Sequence, residues 1–239
     1  MRGSVRSNVG AHNGRSVTWR GGRLKQGRNF DRKLARILRE SAELFAKKRY
    51  DGASIRDIST ITGISPSGLY YYFSSKAELL FLIQQGCIER LLERVTMDLD
   101  GVDAPTDRLA AVVRNHLSFF AENLAEMKVL SREGDSLSAV HAQEIARLRR
   151  EYSDLAQACV CRLAPSAPDD VHRIATLALL GMVESVWTSH APSEDLSVET
   201  IGSIILALFL DGVRSSSASV RPKSRPGPVT IDPVAWGPQ

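Results

Sequence analysis

Residues 65–73 read SPSGLYYYF, and this stretch decides the fold of the first half of the chain. Its four consecutive aromatic residues favour a β-strand by propensity. The residues before them favour a helix, because Ser65 can cap a helix N-terminus and Pro66 suits the first helical position. A short strand without a partner nearby would also leave its backbone amides unpaired. We therefore predict a short helix.

The spacing of the apolar residues orients this helix. Leu69 and Phe73 are four residues apart, so both are expected to face inward. Tyr71 and Tyr72 are then expected to face outward. Tyr70 is expected to be a packing residue whose hydroxyl is tethered.

Helical patterns flank the stretch on both sides. An amphipathic helix over 31–48 is expected to break at YDGAS, with Gly52 as the turn residue. A second helix begins at Ser54, where Ser-x-x-Asp resembles a capping box, and ends at Gly63. Ser75 opens a long helix with a further Ser-x-x-Glu box. Two short helices joined by a turn form a helix-turn-helix.

A helix-turn-helix places the N-terminus of its second helix in the major groove of DNA. Small residues there allow close approach, while hydroxyl and basic side chains can contact phosphates or bases. Tyr71 and Tyr72 could instead be solvated surface. The candidate DNA-binding residues are Ser54, Arg56, Ser65, Ser67, Gly68, Tyr70, Tyr71, Tyr72 and Lys76.

Composition is ordinary for a soluble protein, but charge is unevenly distributed. The 239 residues are 43% hydrophobic with a formal net charge of +4. No apolar run is long enough for a membrane span, and no secretory signal is visible, so a cytoplasmic location is expected. Before Phe30 the chain has seven basic residues and no acidic one. This segment could attract polyanions or be a solvated tail.

Neither a metal site nor an enzyme active site is indicated. Cys87, Cys159 and Cys161 do not complete a zinc set, and we expect reduced, mostly buried thiols. The five histidines are scattered, and neither Gly-x-Ser-x-Gly nor a phosphate-binding glycine loop occurs. We predict no catalytic residue, no metal and no cofactor.

The segment 53–80, ASIRDISTITGISPSGLYYYFSSKAELL, resembles the DNA-binding domain of the TetR family of bacterial repressors. The motif Leu-Tyr-x-x-Phe followed by Lys falls on Leu69, Tyr70, Phe73 and Lys76. The resemblance implies an all-α homodimer of about nine helices, with a three-helix head and a larger C-terminal domain. It also implies a repressor that binds double-stranded operator DNA.

The expected organisation follows from this resemblance and from composition. Further helices are predicted at 105–124, 126–132, 138–163, 169–190 and 197–213. The predicted units are a disordered basic arm (1–28), the DNA-binding domain (29–76), a ligand-binding and dimerisation domain (77–214) and a disordered Ser/Pro-rich tail (215–239).

The last two helices carry apolar residues on more than one face, which is typical of helices buried on both sides. A dimer interface would explain this pattern, as would a monomeric helical core. The candidate interface residues are Leu180, Ile201, Ile205, Leu208 and Phe209.

The effector is the least determined feature. The candidate ligand-binding residues are His116, Phe119, Phe120, Met127, Met182 and Trp187. Residues of these types on a helix are more often core residues than ligand contacts. Segments 127–155 and 179–197 resemble the acyl-CoA-responsive branch of the family, which implies a small apolar effector such as an acyl-CoA. The chain departs from that branch at Thr188, Ser189 and His190. A constitutive regulator without an effector is the alternative.

A basic cluster on a predicted helix bears on the same question. Arg147, Arg149 and Arg150 could meet the phosphates of CoA. A solvated helix face would explain them as well.

Overall fold

The computed structural model describes residues 27–189 and 196–219, which form an all-α fold. Most of the predicted basic arm and tail lies outside these residues. The described residues contain nine α-helices and a 3-10 turn at Gly134–Ser136. The helices are α1 (Arg28–Gly52), α2 (Ile55–Thr62), α3 (Pro66–Leu69), α4 (Lys76–Asp98), α5 (Pro105–Glu122), α6 (Leu124–Arg132), α7 (Ala139–Leu163), α8 (Asp169–Ser189) and α9 (Val198–Ser219).

The helices build two hydrophobic cores. The first belongs to the head, formed by α1, α2, α3 and the beginning of α4. It contains the apolar face of the amphipathic helix α1, where Ile37, Ala42 and Phe45 are fully buried. The second core belongs to the body, formed by the rest of α4 and by α5–α9. These cores separate the predicted DNA-binding unit from the larger C-terminal one.

Helix α6 joins the head to the body. It packs against α1 as well as against α4. Val129 of α6 is 1% exposed and lies in the core of the head, whereas Met127 and Leu130 lie in the core of the body. A displacement of α6 would therefore disturb both cores.

Two helix ends differ from the sequence prediction. α1 is interrupted at Arg49, which has φ 63° and ψ 160°, rather than at Gly52. α9 continues to Ser219, so the first five residues of the predicted tail are helical. The serine run was wrongly read as a helix end because it lacks an apolar stripe.

Within the described residues, no helix has the length and apolarity needed to cross a membrane. Cys87 and Cys159 are buried free thiols, and Cys161 is half-buried. The expectation of reduced, mostly buried cysteines is confirmed.

Candidate DNA-binding surface and candidate effector site

Helix α2 is held by the predicted caps. The Ser54 Oγ accepts from the Asp57 N–H at 3.1 Å, and the Asp57 Oδ2 accepts from the Ser54 N–H at 2.8 Å. Lys48 adds an ion pair of 2.9 Å to Asp57. The Ser54 hydroxyl and Lys48 hold the pKa of Asp57 well below its usual range. At the other end, Gly63 is left-handed with φ 65°, which glycine adopts without strain.

The turn and α3 confirm the helical reading of SPSGLYYYF. The Ser65 Oγ accepts from the Gly68 N–H at 3.2 Å and lies 3.2 Å from the Ser67 Oγ. After Leu69 the chain continues as helical turns, with the Tyr72 N–H donating to the Leu69 carbonyl at 2.8 Å. The backbone amides of this segment therefore form hydrogen bonds within the segment, whereas in an isolated strand they would be unpaired.

Gly68 is required by packing inside the head. A Cβ at this position would lie 2.9 Å from Ile64 Cγ2 and 3.2 Å from the Ser65 Oγ. The glycine therefore lets the turn pack against the first residues of α3 while Ser65 caps them. The Arg36 guanidinium ties α1 to the same turn by donating to the Thr62 carbonyl at 2.9 Å.

The aromatic residues are divided differently from the prediction. Leu69 and Phe73 are fully buried and Tyr71 is 60% exposed, as expected. Tyr70 was expected to pack but is 51% exposed. Tyr72 was expected to face outward, but it is half-buried and stacks on Phe30 at 4.9 Å between ring centroids.

Lys76 is engaged within the protein. Its Nζ donates to the carbonyls of Tyr50 at 2.9 Å and Ala53 at 2.8 Å, and it lies 4.1 Å from the centroid of the Tyr50 ring. These contacts hold the end of α1 against the start of α4. The lysine therefore positions the head, and its predicted role as a phosphate contact stays a prediction.

The exposed candidates form the surface of the head that carries α3. Arg56, Ser65, Ser67, Tyr70 and Tyr71 are all exposed. They offer one guanidinium on α2, two serine hydroxyls at the N-terminus of α3 and two tyrosine hydroxyls directly after its last residue. Such groups donate hydrogen bonds to phosphate and base edges. Phe30 was missed by the sequence analysis, although an isolated aromatic at the start of α1 was a signal that could have identified it.

The candidate effector residues line the core of the body. His116, Phe119, Phe120 and Met127 are buried, and Met182 and Trp187 are half-buried. These side chains come from α5, α6 and α8, which the fold brings together. Whether they contact a ligand stays a prediction.

Contacts between aromatic side chains connect α5 to α7 and to α8. The His116 Nδ1 is hydrogen-bonded to the Tyr152 hydroxyl at 3.1 Å, and burial lowers the pKa of His116 to about 4, so the ring is neutral at pH 7. Phe120 stacks on Trp187 at 5.9 Å between ring centroids. Trp187 Nε1 is buried and has no hydrogen-bond partner among the described residues.

A buried polar network adjoins this core and was missed by the sequence analysis. Arg149 is 8% exposed, and its guanidinium donates to the Leu130 carbonyl. The Ser131 hydroxyl donates to Glu184 Oε1 at 2.5 Å. The Gln84 amide donates to the Val129 carbonyl at 3.4 Å. Polar residues of α4, α7 and α8 therefore bond to consecutive residues of α6.

The predicted basic cluster for CoA phosphates does not form. Arg150 is exposed, and Arg147 is exposed but paired with Glu144 at 2.8 Å and Glu151 at 3.1 Å. Arg149 points into the core instead. Residues two apart on a helix lie on different faces, which the sequence interpretation overlooked.

An ion pair joins the head to the body at Arg49. Its Nε lies 3.0 Å from Glu133 Oε1, and its guanidinium donates to the Arg132 carbonyl at 3.4 Å. Burial raises the pKa of Glu133, while Arg49 and a hydrogen bond from the Tyr50 N–H lower it. The Gln84 amide also donates to the Glu133 carbonyl at 3.2 Å.

The predicted dimer-interface residues lie mostly inside the chain's own core. Leu180, Ile201, Ile205 and Phe209 are each less than 9% exposed, whereas Leu208 is 63% exposed. The α9 members of the buried set recur every four residues on the inward face of that helix. Among the side chains of α8 and α9 that the structure describes, the large apolar ones that are exposed are instead Ile174, Ile204 and Leu208.

Among the described residues, no cluster of three or more His, Cys, Asp or Glu side chains could hold a metal. The geometry is that of a helix-turn-helix head on a helical body, the architecture of a one-component DNA-binding regulator.

Comparisons with known proteins agree with this class. Residues 37–83 match the family model described as bacterial regulatory proteins, tetR family, and residues 102–213 match the tetracyclin repressor-like C-terminal domain. The chain is 30% identical over 148 residues to the HTH-type transcriptional regulator BetI of Pectobacterium carotovorum, covering 60% of this chain and 74% of the relative.

More distant similarities cover more of the chain. The fatty acid metabolism regulator protein of Bacillus subtilis is 22% identical over 190 residues, covering 77% of this chain and 96% of that protein. The crystal structure of AibR in complex with isovaleryl coenzyme A and operator DNA has the same fold, with a TM-score of 0.67 at 22% identity. The structural match covers 74% of this chain and 97% of the AibR chain.

The chain belongs to the TetR family of transcriptional regulators. It is accordingly a DNA-binding regulator and not an enzyme, as the sequence analysis expected. Operator DNA is its partner.

Proposed function

We propose that the chain is a homodimeric repressor that leaves its operator when a small, largely apolar effector binds inside the body. The observation that carries this proposal is the arrangement of the buried polar network around α6. Three side-chain atoms, Gln84 Oε1, Arg149 Nε and Trp187 Nε1, are buried without a hydrogen-bond partner among the described residues. Such atoms are costly unless something satisfies them, and a bound ligand would do so.

The head supplies the operator contacts in this proposal. Arg56, Ser65, Ser67, Tyr70 and Tyr71 contact DNA directly in this proposal, because they are the exposed candidates on α2, on α3 and directly after α3. The remaining candidates position them, and these are Ser54, Gly68, Tyr72 and Lys76. We propose the predicted boundary between residues 76 and 77 for the two units, with the start of α4 contributing to the head core and α9 extending the second unit to Ser219.

A homodimer presents two heads to the DNA. We propose that Ile174, Ile204 and Leu208 face the second copy, because large apolar side chains on two adjacent helices are exposed in the single chain. Two half-sites about 34–36 Å apart on one face of DNA then match the two heads.

The effector class we propose to test first is an acyl thioester. AibR was crystallised with isovaleryl coenzyme A, and a Bacillus subtilis relative regulates fatty acid metabolism. The aromatic and sulfur-containing side chains of the body core suit an acyl chain. Population shift explains release, because a ligand that favours a mis-spaced pair of heads lowers operator affinity.

Fluorescence anisotropy of the protein on labelled DNA from upstream of its own gene tests both operator binding and its release by the effector. Tight binding that falls steeply with salt and is released by one chain-length class of acyl-CoA supports the whole proposal. Tight binding that no thioester or other apolar ligand releases favours the constitutive regulator. Transcription from the same operator in vitro then separates repression from activation.

A further inference from the structure

The start of α1 lies against the candidate DNA-binding surface. The Phe30 ring stacks on Tyr72 at 4.9 Å between ring centroids and meets the exposed Tyr71 edge-on at 5.6 Å. The Phe30 N–H donates to the Gly27 carbonyl at 2.7 Å, which closes the first turn of the helix. The chain therefore enters α1 beside the two tyrosines that follow α3.

Beyond Phe30, α1 runs along the edge of the helix-turn-helix. Phe30 contacts residues that follow α3, and Arg36 donates to the Thr62 carbonyl at the end of α2 at 2.9 Å. Lys33 is exposed and lies midway between them, three residues from each along the helix. An exposed cation of α1 therefore borders the two short helices.

The residues that lead into α1 are strongly basic. In the sequence, residues 1–26 contain six Arg or Lys and no Asp or Glu. Three of the six, Arg20, Arg23 and Lys25, come within eight residues of Arg28, the first residue of α1. A segment with this charge is attracted to the phosphates of the DNA that α3 approaches, because its binding releases counterions.

The length of this basic segment matches the spacing of the grooves of DNA. A recognition helix occupies the major groove, and the next minor groove lies about half a turn, or about 17 Å, along the duplex axis. Residues 20–26 span at most about 23–25 Å when extended, so they can cover this distance. The minor groove is about 6 Å wide, which excludes a helix but admits an extended chain with basic side chains.

We propose, building on the operator contacts of the proposed function, that this basic segment binds the minor groove next to the major groove that α3 occupies. Arg20, Arg23 and Lys25 donate to the acceptors on the floor of that groove. Phe30 is a positioning residue, because it holds the start of α1 against the tyrosines that follow α3. A·T pairs expose only acceptors in the minor groove, whereas G·C pairs add the guanine 2-amino group, a donor that obstructs a basic side chain. The protein therefore favours A·T pairs beside each half-site.

The experiment compares three DNA duplexes in anisotropy titrations of the full chain. Each carries the operator from upstream of the protein's own gene, or a site selected from random DNA where that region is not bound. The duplexes differ only in about five base pairs on either side of the half-sites, which is half a helical turn. These flanks are all A·T, all G·C or all inosine·cytosine.

Inosine makes the comparison specific to the minor groove. It lacks only the 2-amino group of guanine, so an inosine·cytosine pair resembles G·C in the major groove and A·T in the minor groove. The full chain should bind the duplexes with A·T and inosine·cytosine flanks about tenfold more tightly than the duplex with G·C flanks.

Removal of the three cations should abolish this preference. Arg20→Ala/Arg23→Ala/Lys25→Ala should bind all three duplexes alike, with an affinity for A·T flanks about tenfold or more below that of the wild type. The slope of log affinity against log salt should also become shallower by about 2–3, since each cation withdrawn from the duplex removes about 0.9.

A second triple variant is the matched control. Arg114→Ala/Arg150→Ala/Arg162→Ala removes the same charge from exposed positions of α5 and α7 in the body. It should keep both the flank preference and the salt slope of the wild type. Loss of the flank preference in this control would mean that net charge, and not the basic segment, produces it.

Phe30→Leu tests the positioning role. Leucine keeps an apolar side chain against the head but removes the aromatic stack. The flank preference should fall about threefold while affinity for G·C flanks stays near that of the wild type, a pattern that a general loss of head structure would not give. Phe30→Tyr retains the stacked ring and should restore the preference.

Three further results would overturn the inference. These are equal affinity of the full chain for inosine·cytosine and G·C flanks, an unchanged flank preference in Arg20→Ala/Arg23→Ala/Lys25→Ala, and an unchanged preference in Phe30→Leu. The proposed contacts of α3 fail separately, because Tyr71→Ala would then bind every duplex with wild-type affinity. That result would leave the flank preference intact.

Discussion

Arg49 adopts a backbone conformation that residues with a side chain normally avoid. Its φ of 63° and ψ of 160° fall in a region populated almost only by glycine, at a cost of about 1–3 kcal/mol for other residues. Glu133, the Arg132 carbonyl and the neighbouring Tyr50–Lys76 contact surround the strained residue. The strain is therefore located where the head meets the body.

Comparison of Arg49→Gly with Arg49→Ala isolates this strain. Both variants remove the ion pair to Glu133, but only glycine relaxes the backbone. The relief of about 1–3 kcal/mol exceeds the entropy cost of glycine in the unfolded chain, about 0.4–1 kcal/mol, so Arg49→Gly should be the more stable of the two by about 1 kcal/mol. Urea unfolding followed by circular dichroism measures the difference. If Arg49→Gly were instead less stable than Arg49→Ala by about 0.4–1 kcal/mol, the cost of glycine alone, the residue would be unstrained in solution.

Tyr71 is the most exposed aromatic residue of the candidate DNA-binding surface. Replacement by Ala should weaken operator binding by about 1–2 kcal/mol while leaving the fold intact, because a hydroxyl and a ring face are removed from the surface beside α3. Anisotropy titration measures the loss, and Met97→Ala, an exposed change on the body, is the control. Tyr71→Phe separates the two contributions, since it keeps the ring. An Ala variant with wild-type affinity would remove Tyr71 from the site.

The sequence predicted the burial of a side chain correctly where its neighbours in the chain determine it. The prediction failed where a residue distant in sequence determines the burial. Leu69 and Phe73 follow from helical spacing alone. Tyr72 is half-buried because Phe30 at the start of α1 stacks on it, and no local pattern shows that contact. The burial of Arg149 likewise depends on the neighbouring helices α6 and α8. Arg147, Arg149 and Arg150 are close in sequence, and we interpreted them as one surface cluster. They point in different directions around α7, so they do not form one.

At the scale of elements, α2 depends on the reciprocal bonds between Ser54 and Asp57. The Ser54 hydroxyl, followed by Lys48, holds the pKa of Asp57 below its unfolded value of about 3.9. A carboxyl with a depressed folded pKa stabilises the protein above its unfolded pKa. That stability is lost as the pH falls through the folded pKa.

Asp57→Asn should therefore make unfolding less sensitive to acid. Wild type is expected to lose stability as the pH falls below about 4, while the variant begins less stable at pH 7 and loses less over the same range. Thermal unfolding at a series of pH values from 7 to about 2.5 measures both slopes. Asp51→Asn, an exposed change with no cap bond in the structure, is the control. Parallel slopes for wild type and Asp57→Asn would contradict the role of the cap.

Helix starts were predicted better than helix ends. Ser54, Ser65 and Ser75 cap α2, α3 and α4 as expected, because an N-cap is a contact made within a few residues. The interruption of α1 fell at Arg49 rather than at glycine, because tertiary contacts override the local preference for Gly52. α9 continues through its serine run, where no local stop signal exists.

At the scale of the whole molecule, α6 connects the proposed effector site to the head. Leu130 and Ser131 bond to Arg149 and Glu184 in the body interior, while Val129 packs in the core of the head. A ligand that competes for the bonds of Arg149 therefore acts one residue away from a head contact. A coupling of about 1–3 kcal/mol, typical between two linked sites, is enough to change operator affinity 5- to 150-fold.

Dimerisation depends in our proposal on the exposed apolar face of α8 and α9. Leu208→Asp should give a folded monomer, because the side chain is 63% exposed and its replacement leaves the core of the body intact. The monomer should bind a full operator much more weakly, since only one head engages and the second binding event is no longer intramolecular. Met97 is also 63% exposed but lies near the end of α4, so Met97→Asp is the matched control and should stay dimeric. Sedimentation velocity and anisotropy on full and half operators measure both effects. A dimeric Leu208→Asp with full affinity would mean that the two copies meet through another surface.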